Sequence, residues 1–208
     1  MITELKHRWT QLCNNKDSQL TSQLWNEIET QYSEKYRHYH TLNHLYHMFQ
    51  AYDEVEPLIH HKATFQFAIW YHDIIYKASK NNNEEQSARV AVDRSQKLSL
   101  ENSQIELIKT LIISTKKHSI LADKYISDNA YLLDIDLSIL GSDWNSYQTY
   151  CSNIRKEYKI YPTFMYNKGR KQVLKHFLDR DSLYFTEYFK EKFETQARKN
   201  IKRELELL

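Results

Sequence analysis

The stretch FQFAIWYHDIIY, residues 65–76, is apolar on nearly every side when it is drawn as a helix. A helix that is apolar all round is typical of the buried centre of a globular fold, so we expect a central helix over residues 62–77. His72 and Asp73 stand inside this stretch, where an ionised carboxylate without a partner costs several kcal/mol. The stretch therefore predicts a helical core that contains polar groups in need of partners.

Composition extends this expectation to the whole chain. Its 208 residues include only 2 glycines and 2 prolines, whereas these two residue types make up about 12% of an average protein. So few glycines disfavour hairpin turns and Gly-rich phosphate loops. We predict an all-α fold, a single helical bundle domain over residues 1–208, with breaks at Pro57, Gly141 and Pro162. The predicted helices cover residues 2–13, 18–32, 42–55, 62–77, 84–98, 101–117, 128–140, 143–158, 164–180 and 183–206.

Charge and hydropathy exclude several classes of protein. The net charge of +2 arises from interspersed acidic and basic residues, so we expect no duplex nucleic acid partner. No apolar run approaches the roughly 18 residues that span a membrane, and the charged start MITELKHRWTQL is unlike a signal peptide. We therefore expect a cytoplasmic protein without a membrane partner.

Histidine is the unusual residue type in this chain. Eight of the 10 histidines fall between His38 and His118. The two cysteines, Cys13 and Cys151, are too few for a disulfide scaffold or a cysteine-based zinc site. A histidine cluster in a cysteine-poor chain favours metal or acid–base chemistry.

Helical spacing separates inward from outward polar residues. In the helix over 42–55, His44 falls on the apolar half of the wheel, whereas His47 falls on the opposite half. In YLLDIDLSIL, residues 131–140, Asp136 lies near the centre of the apolar arc and Asp134 shares the polar side with Ser138. We therefore expect His44 and Asp136 to point inward, and His47 and Asp134 to meet solvent.

Inward carboxylates need compensation from an arginine, a shared proton or a cation. Two inward histidines favour the cation, because His44, His72, Asp73 and Asp136 form a two-nitrogen, two-oxygen set suited to a divalent Mn, Fe, Zn or Mg ion. The alternative is that each of the four is a separately hydrogen-bonded core residue.

The order of these residues resembles the HD superfamily of metal-dependent phosphohydrolases, and specifically its small bacterial branch. The resemblance covers nearly the whole chain and lies in RHYHTLNHL (37–45), FAIWYHDIIY (67–76), NEEQSA (83–88) and LDIDLSILG (133–141). It implies an all-α HD-type domain that hydrolyses the phosphoester bond of a nucleotide or other small phosphorylated substrate. The implied metal ligands are His44, His72, Asp73 and Asp136, which agrees with the helical wheel.

The stretch YHTLNH is also similar to a Tyr-His-Asn-x-x-His stretch of cyclic nucleotide phosphodiesterases. That similarity makes His44 the metal ligand and His40 the acid that protonates the leaving group. Some superfamily members carry a Glu-Asp pair where this chain has Tyr76 and Lys77. Glu84 or Glu85 would then orient the attacking water, although acidic residues also stabilise a helix start without any catalytic duty.

Other residues are candidates for contact with the substrate. His118 would bind substrate phosphate or a second metal ion. Arg37, Arg155 and Arg170 would bind phosphate, because an arginine fork matches its oxygens. A nucleobase could stack on Tyr39, Tyr76 or Trp70.

Two other classes of protein fit parts of the pattern. One is a non-catalytic HD-like module that senses a metal ion or nucleotide. The other is a helical scaffold with a structural metal or none, which predicts no open cleft beside the histidines.

Overall fold

Residues 1–121 and 126–208 are described by the computed structural model, and every regular element in these ranges is helical. The predicted all-α fold is therefore confirmed for the described part of the chain. None of the helices there is both long and apolar enough to cross a bilayer. The helices are α1 (Ile2–Leu12), α2 (Ser18–Tyr32), α3 (Leu42–Val55), α4 (Lys62–Tyr71), α5 (Asn83–Lys97), α6 (Asn102–Thr115), α7 (Ile126–Leu137), α8 (Trp144–Glu157), α9 (Thr163–Leu178), α10 (Glu187–Phe189) and α11 (Thr195–Leu207).

The centre of the fold is α4, as its sequence predicts. From Thr64 onward every residue of the helix except the half-buried Gln66 is buried, and the Trp70 indole is 0% exposed. Its ring packs edge-on against Trp9 of α1 at 5.8 Å and Trp25 of α2 at 6.1 Å, and lies 4.6 Å from the ring of Phe49 of α3. Trp70 is thus a core residue, and the expectation that it stacks on a nucleobase is wrong.

The predicted helix over 62–77 ends earlier, because α4 stops at Tyr71 and His72 forms its cap. Beyond that point the side chains of other elements bind the backbone. The Arg37 guanidinium donates to the carbonyl oxygens of Asp73 (2.7 Å) and Ile74 (2.9 Å), and Ser87 accepts from the amide of Ile75. These contacts replace the helical hydrogen bonds and turn the chain out of α4 at His72 and Asp73.

The prediction that Asp134 meets solvent is wrong. Its side chain is fully buried and its carboxylate accepts hydrogen bonds from the amides of Phe185 and Thr186, both at 2.8 Å, and from the Thr186 hydroxyl at 2.7 Å. Burial raises the pKa of Asp134 to about 6, although the three donors oppose the rise. A second layer, the segment before α10, covers the side of α7 that the helical wheel assigns to solvent.

Gly141, where the sequence predicts a break after a helix, differs from a simple helix cap. A 3-10 turn, Ser138–Gly141, follows α7, and Gly141 has a negative φ there. A Cβ atom at Gly141 would collide with the side chain of Phe193, so close packing and not backbone freedom requires this glycine.

The region predicted as one helix over 183–206 instead contains α10, a π-helical segment (Lys190–Glu194) and α11.

Candidate metal centre

Three side chains from three helices meet at one point in the fold. His44 lies on α3, His72 caps α4, and Asp136 lies on α7. The two imidazole Nε2 atoms are 3.2 Å apart, and Oδ1 of Asp136 lies 3.3 Å from Nε2 of His44 and 3.9 Å from Nε2 of His72. Potential ligand atoms of all three residues lie within 4.8 Å of one another.

This arrangement fits a divalent ion. Nδ1 of His72 donates to the carbonyl oxygen of Ile69 at 2.9 Å, which leaves a lone pair on Nε2, as in metal-binding histidines. Two nitrogens bound to one ion at about 2.0–2.1 Å would stand about 3.0–3.4 Å apart, by the bond lengths typical of zinc. The 3.2 Å between Nε2 of His44 and Nε2 of His72 falls in that interval.

Asp73 lies at the edge of this group. Its Oδ2 atom is 3.2 Å from Nε2 of His72 and 3.8 Å from Nε2 of His40. The tight three-residue group does not include Asp73. The structure thus places the four predicted ligands together, with three in mutual range and Asp73 in contact through His72.

The carboxylates make this point attractive to positive charge. Burial lowers the pKa of His72, but Asp73 and Asp136 outweigh burial and raise the pKa to about 9. Burial also raises the pKa of Asp136, yet hydrogen bonds from His118 and His44 bring that pKa well below its usual value. The same field that stabilises a proton here stabilises a metal ion.

His118 lies beside this group, in the turn after α6. Its Nε2 is 3.0 Å from Oδ2 of Asp136. The backbone of His118 is left-handed, with φ of 44°, a conformation that is uncommon for residues other than glycine and often found at functional sites. Arg180, which the sequence analysis does not single out, donates to the carbonyl oxygens of Lys117 (3.0 Å) and His118 (3.1 Å) and so holds the turn.

His40 is held by Glu157, a buried residue that the sequence analysis overlooks. Nδ1 of His40 is 2.7 Å from Oε2 of Glu157, and the Tyr76 hydroxyl donates to the same oxygen at 2.9 Å. The imidazole stacks on the Tyr76 ring with a centroid distance of 4.0 Å. The other imidazole nitrogen, Nε2, faces Asp73.

The second oxygen of Glu157 fixes the backbone around His40. Oε1 accepts hydrogen bonds from the amides of His38 (2.7 Å), Tyr39 (2.7 Å) and His40 (3.0 Å). The only signal for Glu157 in the sequence is its place in IRKEY, residues 154–158, next to the candidate Arg155. A residue that binds three successive amides and one imidazole sets the position of His40.

Opposing effects set the pKa values of this pair. Burial lowers the pKa of His40, but the carboxylates of Glu157 and Asp73 outweigh it, so the pKa lies above its usual value. Burial raises the pKa of Glu157, whereas charge and hydrogen bonds from His40 lower it to about 2. The pair therefore favours a protonated imidazole next to an ionised carboxylate.

A cleft of about 810 Å³ gives access to the group. Asp73 and Asp136 line it, together with His40, His118 and Glu84. His44 lines a second cavity of about 450 Å³ that shares Tyr39, Ile139 and Tyr150 with the first. The candidate metal-binding group therefore stands between two cavities and is not sealed inside the core.

The two candidate glutamates have different surroundings. Glu84 is half-buried in the cleft wall, and burial raises the pKa of its carboxyl group. Glu85 forms an ion pair with Lys116. Among the described residues, Glu84 therefore lines the cleft without an ion pair, whereas Glu85 is paired with Lys116.

The three candidate phosphate-binding arginines are engaged elsewhere. Arg37 is 4% exposed and donates to backbone carbonyl groups. Arg155 donates to the carbonyl oxygens of Tyr158 (2.9 Å) and Tyr161 (3.1 Å) and lines a different, smaller cavity. These two arginines hold the backbone, which corrects their assignment as phosphate ligands.

Arg170 lines the cleft but is already paired. Its guanidinium makes a bidentate contact with Glu204, at 2.7 and 3.0 Å, and donates to the Tyr150 hydroxyl at 3.2 Å. This network joins α8, α9 and α11 beneath the cleft wall. Arg170 thus stabilises the cleft wall, and its guanidinium donates to Glu204 and Tyr150 and not to a ligand.

Searches for similar proteins return no matching family model, no matching curated protein and no matching solved structure.

Proposed function

We propose that this protein is a metal-dependent phosphohydrolase of the HD type, which cleaves a phosphoester bond of a nucleotide or another small phosphorylated substrate. The observation that carries the proposal is the meeting of His44, His72 and Asp136 beside a large cleft. A purely structural metal site is closed by protein ligands, whereas a catalytic site keeps an open position. Asp136 and Asp73 line the cleft, which supports an open site.

Each residue has a distinct part in the proposed reaction. His44, His72 and Asp136, with Asp73 beside them, would hold a divalent ion. Such an ion supplies water of lowered pKa and neutralises charge on a phosphate oxygen.

His40 supplies the proton for the leaving group. As the oxygen of water gives up a proton to solvent or to Glu84 and bonds to phosphorus, the ester P–O bond breaks and the departing oxygen takes a proton from the imidazole. Glu157 binds Nδ1 of His40, so Nε2 is the nitrogen that faces the cleft and delivers this proton. The carboxylate stabilises the protonated imidazole before the transfer.

The cleft supports an organic phosphate of considerable size as the substrate. Its volume of about 810 Å³ lies within the range of ordinary ligand pockets. Tyrosine side chains line much of it, and they can stack on a nucleobase. They are Tyr39, Tyr76, Tyr150, Tyr158, Tyr161 and Tyr166.

A non-catalytic module that binds metal and nucleotide is the second candidate. One observation favours it: Tyr76 stands where some HD proteins carry an acidic residue, and its hydroxyl contacts Glu157. Glu84 is the half-buried carboxylate of the cleft that would take over the water-orienting role.

Phosphate release separates the two candidates. The purified protein would be loaded with Mn²⁺, Fe²⁺, Mg²⁺ or Zn²⁺ and given a panel of nucleotides and small phosphoesters. We expect metal-dependent phosphate release that is lost in His44→Ala and kept in His47→Ala, because His47 lies on the same helix but is exposed. Metal and nucleotide binding without phosphate release from any substrate would favour the sensor module.

A further inference from the structure

The exposed face of α9, next to the cleft, carries positive charge that the overall composition conceals. Helix α9 contributes Met165, Gly169, Gln172 and Val173 to the cleft lining. The sequence of this helix, TFMYNKGRKQVLKHFL, contains four lysine or arginine residues and no acidic residue. The near-neutral net charge of +2 therefore does not describe the exposed face of α9 beside the cleft.

The lysines of α9 are free to bind an anion. Lys168 and Lys175 are exposed, and Lys171 is half-buried. Within the described residues, no carboxylate lies within ion-pair distance of any of the three. Lys168 and Lys175 are two helical turns apart, about 10 Å along the axis, so the two lysines can bind separate phosphates of one strand.

Exposed apolar side chains accompany these lysines. Phe164 is 74% exposed at the start of α9, and Ile160 is 70% exposed just before the helix. The half-buried rings of Tyr158 and Tyr161 lie next to them in sequence and line the cleft. Aromatic rings alternating with cations are the features by which proteins bind single-stranded nucleic acid without sequence preference.

We propose that the substrate is a short single-stranded oligonucleotide whose terminal nucleotide enters the cleft while its following phosphates lie along α9. The inference rests on the proposed phosphohydrolase function and names its substrate class. Tyr158 and Tyr161 stack on bases, and Lys168 and Lys175 bind two phosphates of the same strand that are not adjacent. Lys80, an exposed lysine of the cleft lining, gives a further cation for the terminal phosphate.

The test compares a fluorescently labelled uridine hexanucleotide with UMP. Binding is measured by anisotropy, and phosphate release from UMP by the Mn²⁺-loaded protein is measured in parallel. We expect the hexanucleotide to bind at least tenfold more tightly than UMP. Its Kd should rise about 20-fold between 50 and 200 mM salt, as contact with about three phosphates of a single strand implies.

Charge-reversal variants test whether the exposed face of α9 binds the hexanucleotide. In Lys168→Glu/Lys175→Glu, hexanucleotide affinity should fall about tenfold or more, because two phosphate contacts become repulsive, while phosphate release from UMP is unchanged. The matched control is Lys6→Glu/Lys16→Glu, which makes the same charge change at exposed lysines near α1. This control should keep wild-type affinity for the hexanucleotide.

The outcomes distinguish the inference from the proposed function. Equal affinity for UMP and hexanucleotide, or equal binding by the two double variants, overturns the inference and leaves hydrolysis of UMP as evidence for the proposed function. Lysine-dependent hexanucleotide binding with no hydrolysis of any phosphoester supports the surface and contradicts the hydrolase. Binding of α9 to phosphatidylserine vesicles but not to the hexanucleotide overturns the inference in favour of a membrane surface.

Discussion

Glu157 is one buried carboxylate that both fixes the position of His40 and supplies the negative charge next to its imidazole. One oxygen binds three successive backbone amides, and the other binds the His40 imidazole and the Tyr76 hydroxyl. Without this carboxylate, His40 would lose both its orientation and the negative charge that favours its protonated form.

We therefore expect Glu157→Gln to retain the metal ion and to lower the turnover rate. Glu157 raises the pKa of His40, so its removal lowers that pKa. An acid must be protonated to act, and the alkaline limb of the pH–rate profile should move to lower pH. A kcat profile between pH 5 and 10 measures the shift.

The control for this variant is Glu204→Gln. Glu204 is also a buried glutamate that binds a tyrosine hydroxyl and an arginine, but it does not contact His40. Its replacement should leave the alkaline limb where it is. An unshifted limb in Glu157→Gln would show that His40 is not the acid.

Asp134 and Asp136 form a second matched pair. Asp134→Ala leaves the amides of Phe185 and Thr186 without their acceptor, so we expect a loss of about 3 kcal/mol of unfolding free energy. The folded fraction should still bind metal. Asp136→Ala should lose the metal ion while it keeps most of the stability of the metal-free protein.

Chemical denaturation and metal analysis together check this pair. Loss of metal in Asp134→Ala at a temperature where the variant remains folded would contradict the assignment of Asp136 as the ligand.

The helical wheel predicts some of these residues and fails for others. It selects His44 over His47 correctly, because α3 has one buried and one exposed side. It fails for Asp134 because α7 is covered on a second side by the segment before α10. Glu157 escapes detection because its partners at His38, Tyr39 and His40 lie 117 to 119 residues away in the chain, and Tyr76 lies 81 residues away.

The end of α4 could not be predicted from its own residues either. Local periodicity extends the helix to residue 77, and the break at Tyr71 depends on Arg37 and Ser87 from outside this stretch. Because the helix ends before these two residues, the side chains of His72 and Asp73 are not held apart by helical geometry and can lie next to each other. Thus local sequence predicts the helices well, whereas distant side chains determine where some of them end.

The two glycines allow a test of helix packing. A Cβ at Gly141 would collide with Phe193, whereas a Cβ at Gly169 of α9 would meet no atom within 4 Å. We expect Gly141→Ala to destabilise the protein by about 1–3 kcal/mol through overpacking. Gly169→Ala should stabilise it by up to about 1 kcal/mol, because alanine favours a helix.

Thermal unfolding of the two variants under identical conditions measures these effects. If the midpoint of thermal unfolding shifted in the same direction in both variants, this result would contradict the packing of the Ser138–Gly141 turn against Phe193.

The candidate metal-binding group connects distant parts of the molecule. Its proposed ligands come from α3, α7 and the C-terminal cap of α4, and α4 packs at the centre of the core. An ion that binds only the folded chain adds stability that grows with its concentration, about 2.7 kcal/mol at 100 times Kd. Metal removal should therefore lower the midpoint of thermal unfolding as well as activity.

Direct titration with Mn²⁺ or Zn²⁺ tests the central claim that His44, His72 and Asp136 hold one ion. We expect one ion per chain in the wild-type protein and in His47→Ala. His44→Ala and Asp136→Ala should each weaken binding by about 100-fold or more, since each removes a ligand and not merely a supporting contact. Wild-type affinity in these two variants, or no binding by the wild-type protein, would contradict the account.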